Sequence, residues 1–311
     1  MTEESPLTQA LQDDQRWSAR NPALAMAVYV IAYLVCTLGG GALRPATMPV
    51  WLGAALALFF ELAILLASIL LVLSIARLKI GPWAELAWVA LLLALFVISR
   101  PDSIAIAGGW LGNPEGGRRV AQALKITPAQ QFMGNIALIL WAVFLGRLVS
   151  RVVREGKLLL PVAAVASVAD TVTVFWGVVA HLTQKAPEVV KTFSAQTPVA
   201  APPSISLPTI SSIGIGDFMF LALFLAVAVR YGMDATRAMW LTLIVMVFVA
   251  PVPFILIPSL GTTGMPGLPF LSLGVLAANW RYLRFTRDEK RALAFVGLLV
   301  AAAVAAIILR R

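Results

Sequence analysis

Runs of about 20 consecutive apolar residues recur along this chain, the length at which a helix rising about 1.5 Å per residue crosses the hydrocarbon layer of a bilayer. A helix also satisfies its own backbone polar groups, which hydrocarbon cannot do for it. With 60% hydrophobic and only 13% charged side chains, the chain carries more apolar surface than a soluble fold hides, since globular proteins hold roughly half and a quarter. Water is therefore not its main solvent.

Windows of about 19 residues place apolar spans at 23–43, 50–76, 83–98, 132–148, 158–180, 210–229, 239–260, 268–280 and 293–309. The expected fold class is an all-α polytopic membrane protein with about nine transmembrane helices. The span at 268–280 is short and contains Pro269, and the stretch 104–111 reads as a re-entrant or interfacial segment. The organisation expected is a polar tail at 1–21, a helix bundle at 22–157, a second group of helices at 158–292 and a closing helix at 293–311. The tail is mixed in charge (Glu3, Glu4, Asp13, Asp14, Arg16, Arg20), so it lacks the basic start and short apolar core of a cleavable signal and is expected to stay attached.

The net charge of +9 excludes little by itself, but the basic residues gather at the ends of apolar runs. They read as membrane-flanking anchors, and no nucleic-acid partner is expected. Arg147, Arg151, Arg154 and Lys157 precede one span, Arg230 and Arg237 follow another, and Arg281, Arg284, Arg287, Lys290 and Arg291 follow a third. These three connections are expected on one side, which the positive-inside rule makes the cytoplasm. The connection at 182–209 then lies outside, carrying only Lys185 and Lys191 as basic residues. Its five prolines, Pro187, Pro198, Pro202, Pro203 and Pro208, resist helix, and it reads either as a gate for a substrate or as a surface linker. The single cysteine, Cys36, rules out an internal disulfide framework and a thiolate metal cluster, and is expected as a small buried hydrophobe.

An intramembrane carboxylate costs on the order of 2.5–3.5 kcal/mol on insertion scales, so each one needs a partner, a proton or a wet cavity. Glu61, Asp170 and Asp217 fall inside apolar spans. Glu61, in Phe59-Phe60-Glu61-Leu62, has no motif around it and is expected to be structural. Asp170 lies near the middle of its span, in Ser167-Val168-Ala169-Asp170-Thr171. Asp217 follows two glycines in Gly214-Ile215-Gly216-Asp217-Phe218, where missing side chains permit close helix approach and local unwinding. Two carboxyl groups within a few Å of each other share a proton, so one can act as general base on water while the other polarises a carbonyl. That economy needs no metal and no cofactor. The only histidine, His181, stands at a span end and is expected to be interfacial.

Gly214-Ile215-Gly216-Asp217 matches the Gly-x-Gly-Asp signature of the presenilins and signal peptide peptidases, the intramembrane aspartyl proteases, and the surroundings of Asp170 resemble the region of their first catalytic aspartate. Leu268-Pro269-Phe270-Leu271 stands where that family has Pro-Ala-Leu, with Phe270 in the alanine position. The resemblance covers residues 158–280, and the three elements keep the family's order. It implies a presenilin-like bundle, an aspartic endopeptidase with Asp170 and Asp217 as catalytic pair, and Gly214, Gly216, Pro269, Phe270 and Leu271 shaping the site on the substrate side. The implied partners are transmembrane peptide substrates within the lipid bilayer, and the implied place is the cell membrane. The sequence departs from the family in Ala169, where the family has tyrosine, and in carrying the aspartates on the fifth and sixth spans instead of the sixth and seventh. Two rival readings use the same acids: a proton- or cation-coupled transporter or channel, and an inactive relative that binds membrane segments without cutting them.

Overall fold

The computed structural model describes residues 22–42, 50–100, 115, 128–175, 194–196, 212–256, 265–287 and 290–291. Helices α1 (Pro22–Ala42), α2 (Val50–Ala76), α3 (Pro82–Ser99), α4 (Pro128–Ser150) and α5 (Leu159–Phe175) come first. Two short strands follow, β1 (Ser194–Gln196) and β2 (Ser212–Gly214), then α6 (Ile215–Arg230), α7 (Ala235–Ile244), α8 (Val252–Leu256) and α9 (Leu268–Asn279). The helices begin where the sequence supplies starts. Pro82 opens α3 with its φ already helical, and the Asp234 side chain caps α7 by accepting from the Arg237 N–H at 2.9 Å. Gly232, at φ 62°, closes the turn after α6 in a conformation that favours glycine.

Four stretches among the described residues are long and apolar enough to cross a membrane: Leu58–Ala76, Pro82–Ser99, Phe132–Ser150 and Gly156–Phe175. The chain is thus a helical protein with several membrane-competent helices, as its composition demands. The span expected at 293–309, the stretch 104–111, His181 and all of the 182–209 connection except Ser194–Gln196 lie outside the described residues.

Two expectations are corrected. The span expected from 210 opens as strand, with Ser212, Ile213 and Gly214 paired antiparallel to Gln196, Ala195 and Ser194. Serine, glycine and β-branched isoleucine are weak helix formers, so the helix starts only at Ile215. The span expected at 239–260 starts earlier, at Ala235, and is not one regular α-helix. It widens into a π-helical segment at Val245–Val249, where the Ala250 N–H donates to Val245 O at 2.9 Å. Pro251 and Pro253, which cannot donate to a preceding turn, follow directly.

The core is continuous from α1 to α9 and crosses the boundary expected at residue 157. Helix α4 packs between α3 and α6, while α6 also touches α2 and α9. Helix α9 packs between α5 and α7, so the contacts of α5 are mainly with α9. Backbones approach closely through glycine: a methyl group on Gly146 in α4 would fall on the Met219 carbonyl of α6, and one on Gly274 in α9 on the backbone of Thr242 in α7.

The three basic connections do meet at one end. Arg230 Nη1 donates to Ser150 O at 2.9 Å, Tyr231 Oη to Val153 O at 2.8 Å, and the Asp234 N–H to Asn279 Oδ1 at 2.9 Å. The reading of every basic residue there as a flanking anchor is corrected, because Arg147 is only 6% exposed and Glu85, a fourth acid inside an apolar helix, is buried against it. Arg147 Nη2 approaches Glu85 Oε1 at 2.7 Å and Arg151 Nε approaches Oε2 at 2.6 Å. The same guanidinium groups donate to the carbonyls of Ile75, Leu78 and Ile80, which ties the turn between α2 and α3 to the end of α4. Cys36 is buried as expected and donates to Phe60 O at 3.5 Å.

Candidate functional site

Asp170 and Asp217 reach the site from differently built elements. Asp170 lies in the continuous helix α5, whose hydroxyls are turned back onto its own carbonyls: Ser167 Oγ to Ala163 O at 2.7 Å, Thr171 Oγ1 to Ser167 O at 2.8 Å, and Thr173 Oγ1 to Asp170 O at 3.0 Å. Asp217 lies in the first turn of α6, immediately after β2 changes from strand to helix at Gly214. An acid in a first turn sits in the positive end of the helix dipole. The Gly214 N–H also points to its carboxylate.

The two acids meet at the start of α9. The Leu268 N–H donates to Asp170 Oδ2 at 3.0 Å, with the Gly267 N–H also directed at that carboxylate. Gly267 faces the other acid as well: a methyl group built on it would lie 2.6 Å from Asp217 Oδ1 and 2.8 Å from Oδ2. Both carboxyl groups thus face the Gly267–Leu268 backbone. Helix α9 therefore joins them, through two consecutive residues that carry backbone donors and no intervening bulk. Pro269 sets the direction of that helix start, since its ring holds φ in the helical range without needing a donor.

Serine hydroxyls hold α5 to α9 beside the acids. With its own proton on Ala163 O, Ser167 Oγ accepts from Ser272 Oγ at 2.9 Å and lies 3.5 Å from Leu268 O. Leu271 is buried in the core, whereas Pro269 and Phe270 are half-buried. Among the described residues, nothing lies within 4 Å of a Cβ built on Gly216. Ala169 is exposed on α5, and Glu61 is half-buried in α2, an element remote in sequence from the acids.

Sequence reasoning brought forward Asp170, Asp217, Gly214, Gly216, Pro269, Phe270 and Leu271, and missed Gly267, Ser167 and Ser272. A signal for Gly267 exists: it is the residue directly ahead of Leu268-Pro269, where a helix start meets a short side chain. Chemically, two carboxyl groups brought to one backbone segment are the kind of pair that can activate a water molecule. Compared with family models, curated proteins and solved structures, the chain matches none of them.

Proposed function

We propose that this protein is an intramembrane aspartyl protease with a presenilin-like bundle of about nine helices, hydrolysing peptide bonds in transmembrane segments or remnant signal peptides at the cell membrane. The observation that carries the reading is the convergence of Asp170 and Asp217 on Gly267 and Leu268. In the proposed reaction the ionised carboxyl takes a proton from water, whose oxygen attacks the scissile carbonyl carbon. The protonated carboxyl hydrogen-bonds the carbonyl oxygen as charge develops there. Transfer of a proton to the amide nitrogen of the tetrahedral intermediate then breaks the C–N bond and restores the pair. A substrate helix has to unwind for this, and the backbone at Gly214, already extended in β2, is suited to pair with it as an added strand. The positive-inside rule turns the basic end toward the cytoplasm and the 182–209 connection away from it.

One observation favours a second reading, a relative that binds membrane segments without cutting. Ala169 leaves the face beside Asp170 without the ring and hydroxyl that resemblance leads one to expect. Incubation of the detergent-purified protein with a model signal peptide distinguishes the two, with Asp170→Ala and Asp217→Ala as controls. Cleavage by wild type alone supports the protease, and binding without turnover supports the second reading. Cleavage that survives both substitutions removes the two-aspartate mechanism, and Asp217-dependent proton flux in liposomes without cleavage replaces it with a transporter.

A further inference from the structure

At the basic end, three connections that are far apart in sequence border an open-sided cavity of about 380 Å³. Glu155 and Lys157 come from the connection between α4 and α5, Tyr231 from the turn after α6, and Tyr282 and Arg284 from the segment after α9. Its shape depends on Gly156: a Cβ there would meet Met233 Cε at 2.8 Å and Tyr231 Cβ at 3.2 Å, so the loop packs directly onto the α6 turn. The Tyr231 hydroxyl is already committed to Val153 O, which fixes its ring as a wall.

The charges in this cavity are unequal. Lys157 Nζ lies 2.9 Å from Glu155 Oε2, so those two balance. Arg284 is exposed, and among the described residues its guanidinium makes no ion pair. One cationic fork is thus left beside a cavity whose other walls are the balanced Glu155–Lys157 pair, Gly156, Met233 and the rings of Tyr231 and Tyr282. Arg281 stands over the Tyr282 ring at 5.0 Å and donates to the Tyr282 hydroxyl at 3.1 Å, with its charge met by Asp234 Oδ2 at 3.6 Å.

The cavity stands at the end of a membrane-competent helix. A membrane-competent stretch begins at Gly156, within the cavity wall. Exposed apolar side chains flank it in sequence, with Val152 at 77% and Trp280 at 67%. Tryptophan and tyrosine sit where headgroups meet hydrocarbon, and a planar guanidinium binds two phosphate oxygens at once.

We infer that this cavity binds a singly charged phosphate group, of the kind an anionic phospholipid headgroup presents, with Arg284 as the ligand, Lys157 keeping the Glu155 carboxylate neutralised beside it and the tyrosines as walls. The lipid's acyl chains would lie along Val152 and Trp280. The same chemistry would accept free phosphate, and the test separates the two sources.

The full chain in a neutral detergent is unfolded thermally while being titrated with short-chain phosphatidylglycerol, short-chain phosphatidylcholine or inorganic phosphate. Wild type is compared with Arg284→Gln, Lys157→Gln and Arg287→Gln, the last an exposed basic residue outside the cavity lining. The expected result is a saturable rise in Tm with phosphatidylglycerol that needs about tenfold more lipid in Arg284→Gln and is unchanged in Arg287→Gln. An equal response to inorganic phosphate supports the site and assigns it to a soluble anion. A response lost equally in Arg287→Gln, or an equal response to phosphatidylcholine, overturns the proposal, as does the absence of any saturable response. If Arg284→Gln fails to fold, Lys157→Gln carries the comparison, and undiminished phosphatidylglycerol binding by it overturns the site.

Discussion

Gly267 rests against the carboxylate of Asp217 so closely that no side chain fits between them: a Cβ at Gly267 would come within 2.6 Å of Oδ1. Displacing a reacting group by about 1 Å costs on the order of a hundredfold in rate. Gly267→Ala is therefore expected to lower kcat for peptide cleavage about a hundredfold while leaving helix content intact. Circular dichroism and a cleavage assay on the same sample check this, and wild-type turnover by the variant would contradict the proposed catalytic role of this geometry.

A pair that works with one carboxyl ionised and one protonated gives a two-sided pH dependence. Cleavage should fall on the acid side as both groups take protons, and on the alkaline side as the shared proton is lost. The measurement is kcat/KM for the purified protein from about pH 4 to about pH 9. A flat profile would rule out a titrating dyad as the rate-controlling acid and base.

Glu85 is the counter-ion of two arginines in the interior of the basic end. Removing one partner of a buried ion pair leaves uncompensated charge and costs about 3–5 kcal/mol. Glu85→Ala should unfold at lower temperature or denaturant than wild type, and replacing Arg147 with methionine in the same chain should recover part of the loss. A Glu85→Ala protein as stable as wild type would mean that the clamp contributes nothing.

Two helix contacts run through glycine. Gly146 meets the Met219 carbonyl and Gly274 the Thr242 backbone, so a valine at either site has to push two backbones apart. Overpacking of this kind costs about 1–3 kcal/mol. Gly81, with open space around it, is the control, and equal effects of Gly146→Val and Gly81→Val on thermal unfolding would contradict the packing described.

Orientation is open to labelling. In a chain with Cys36 replaced by alanine, Lys185→Cys is expected to react with an impermeant maleimide from outside intact cells, and Arg284→Cys only after lysis. The opposite pattern would reverse the assignment made from the basic residues.

The membrane-competent helices were legible because hydrophobic run length acts locally: each of the spans beginning at 50, 83 and 132 reports its own solvent without knowledge of its neighbours. Boundaries were legible less well. The strand at Ser212–Gly214 depends on a partner at Ser194–Gln196, and no window centred on one segment contains the other. Glu85 escaped notice because a carboxylate near the start of an apolar run looks like a boundary residue until Arg147 and Arg151, from another helix, are seen against it.

By itself the sequence determined that the chain carries helices long and apolar enough to cross a membrane and that Asp170 falls within one of them, where a carboxylate is costly, since both follow from side-chain chemistry along a single segment. It suggested that the two acids face each other across consecutive helices. Only the tertiary structure decided how they come together: α9, not direct packing of α5 on α6, joins them by presenting Gly267 to one carboxylate and the Leu268 N–H to the other. The reason is physical. A hydrogen bond between residues 98 positions apart is set by the packing of whole helices, and no local pattern of residues encodes it.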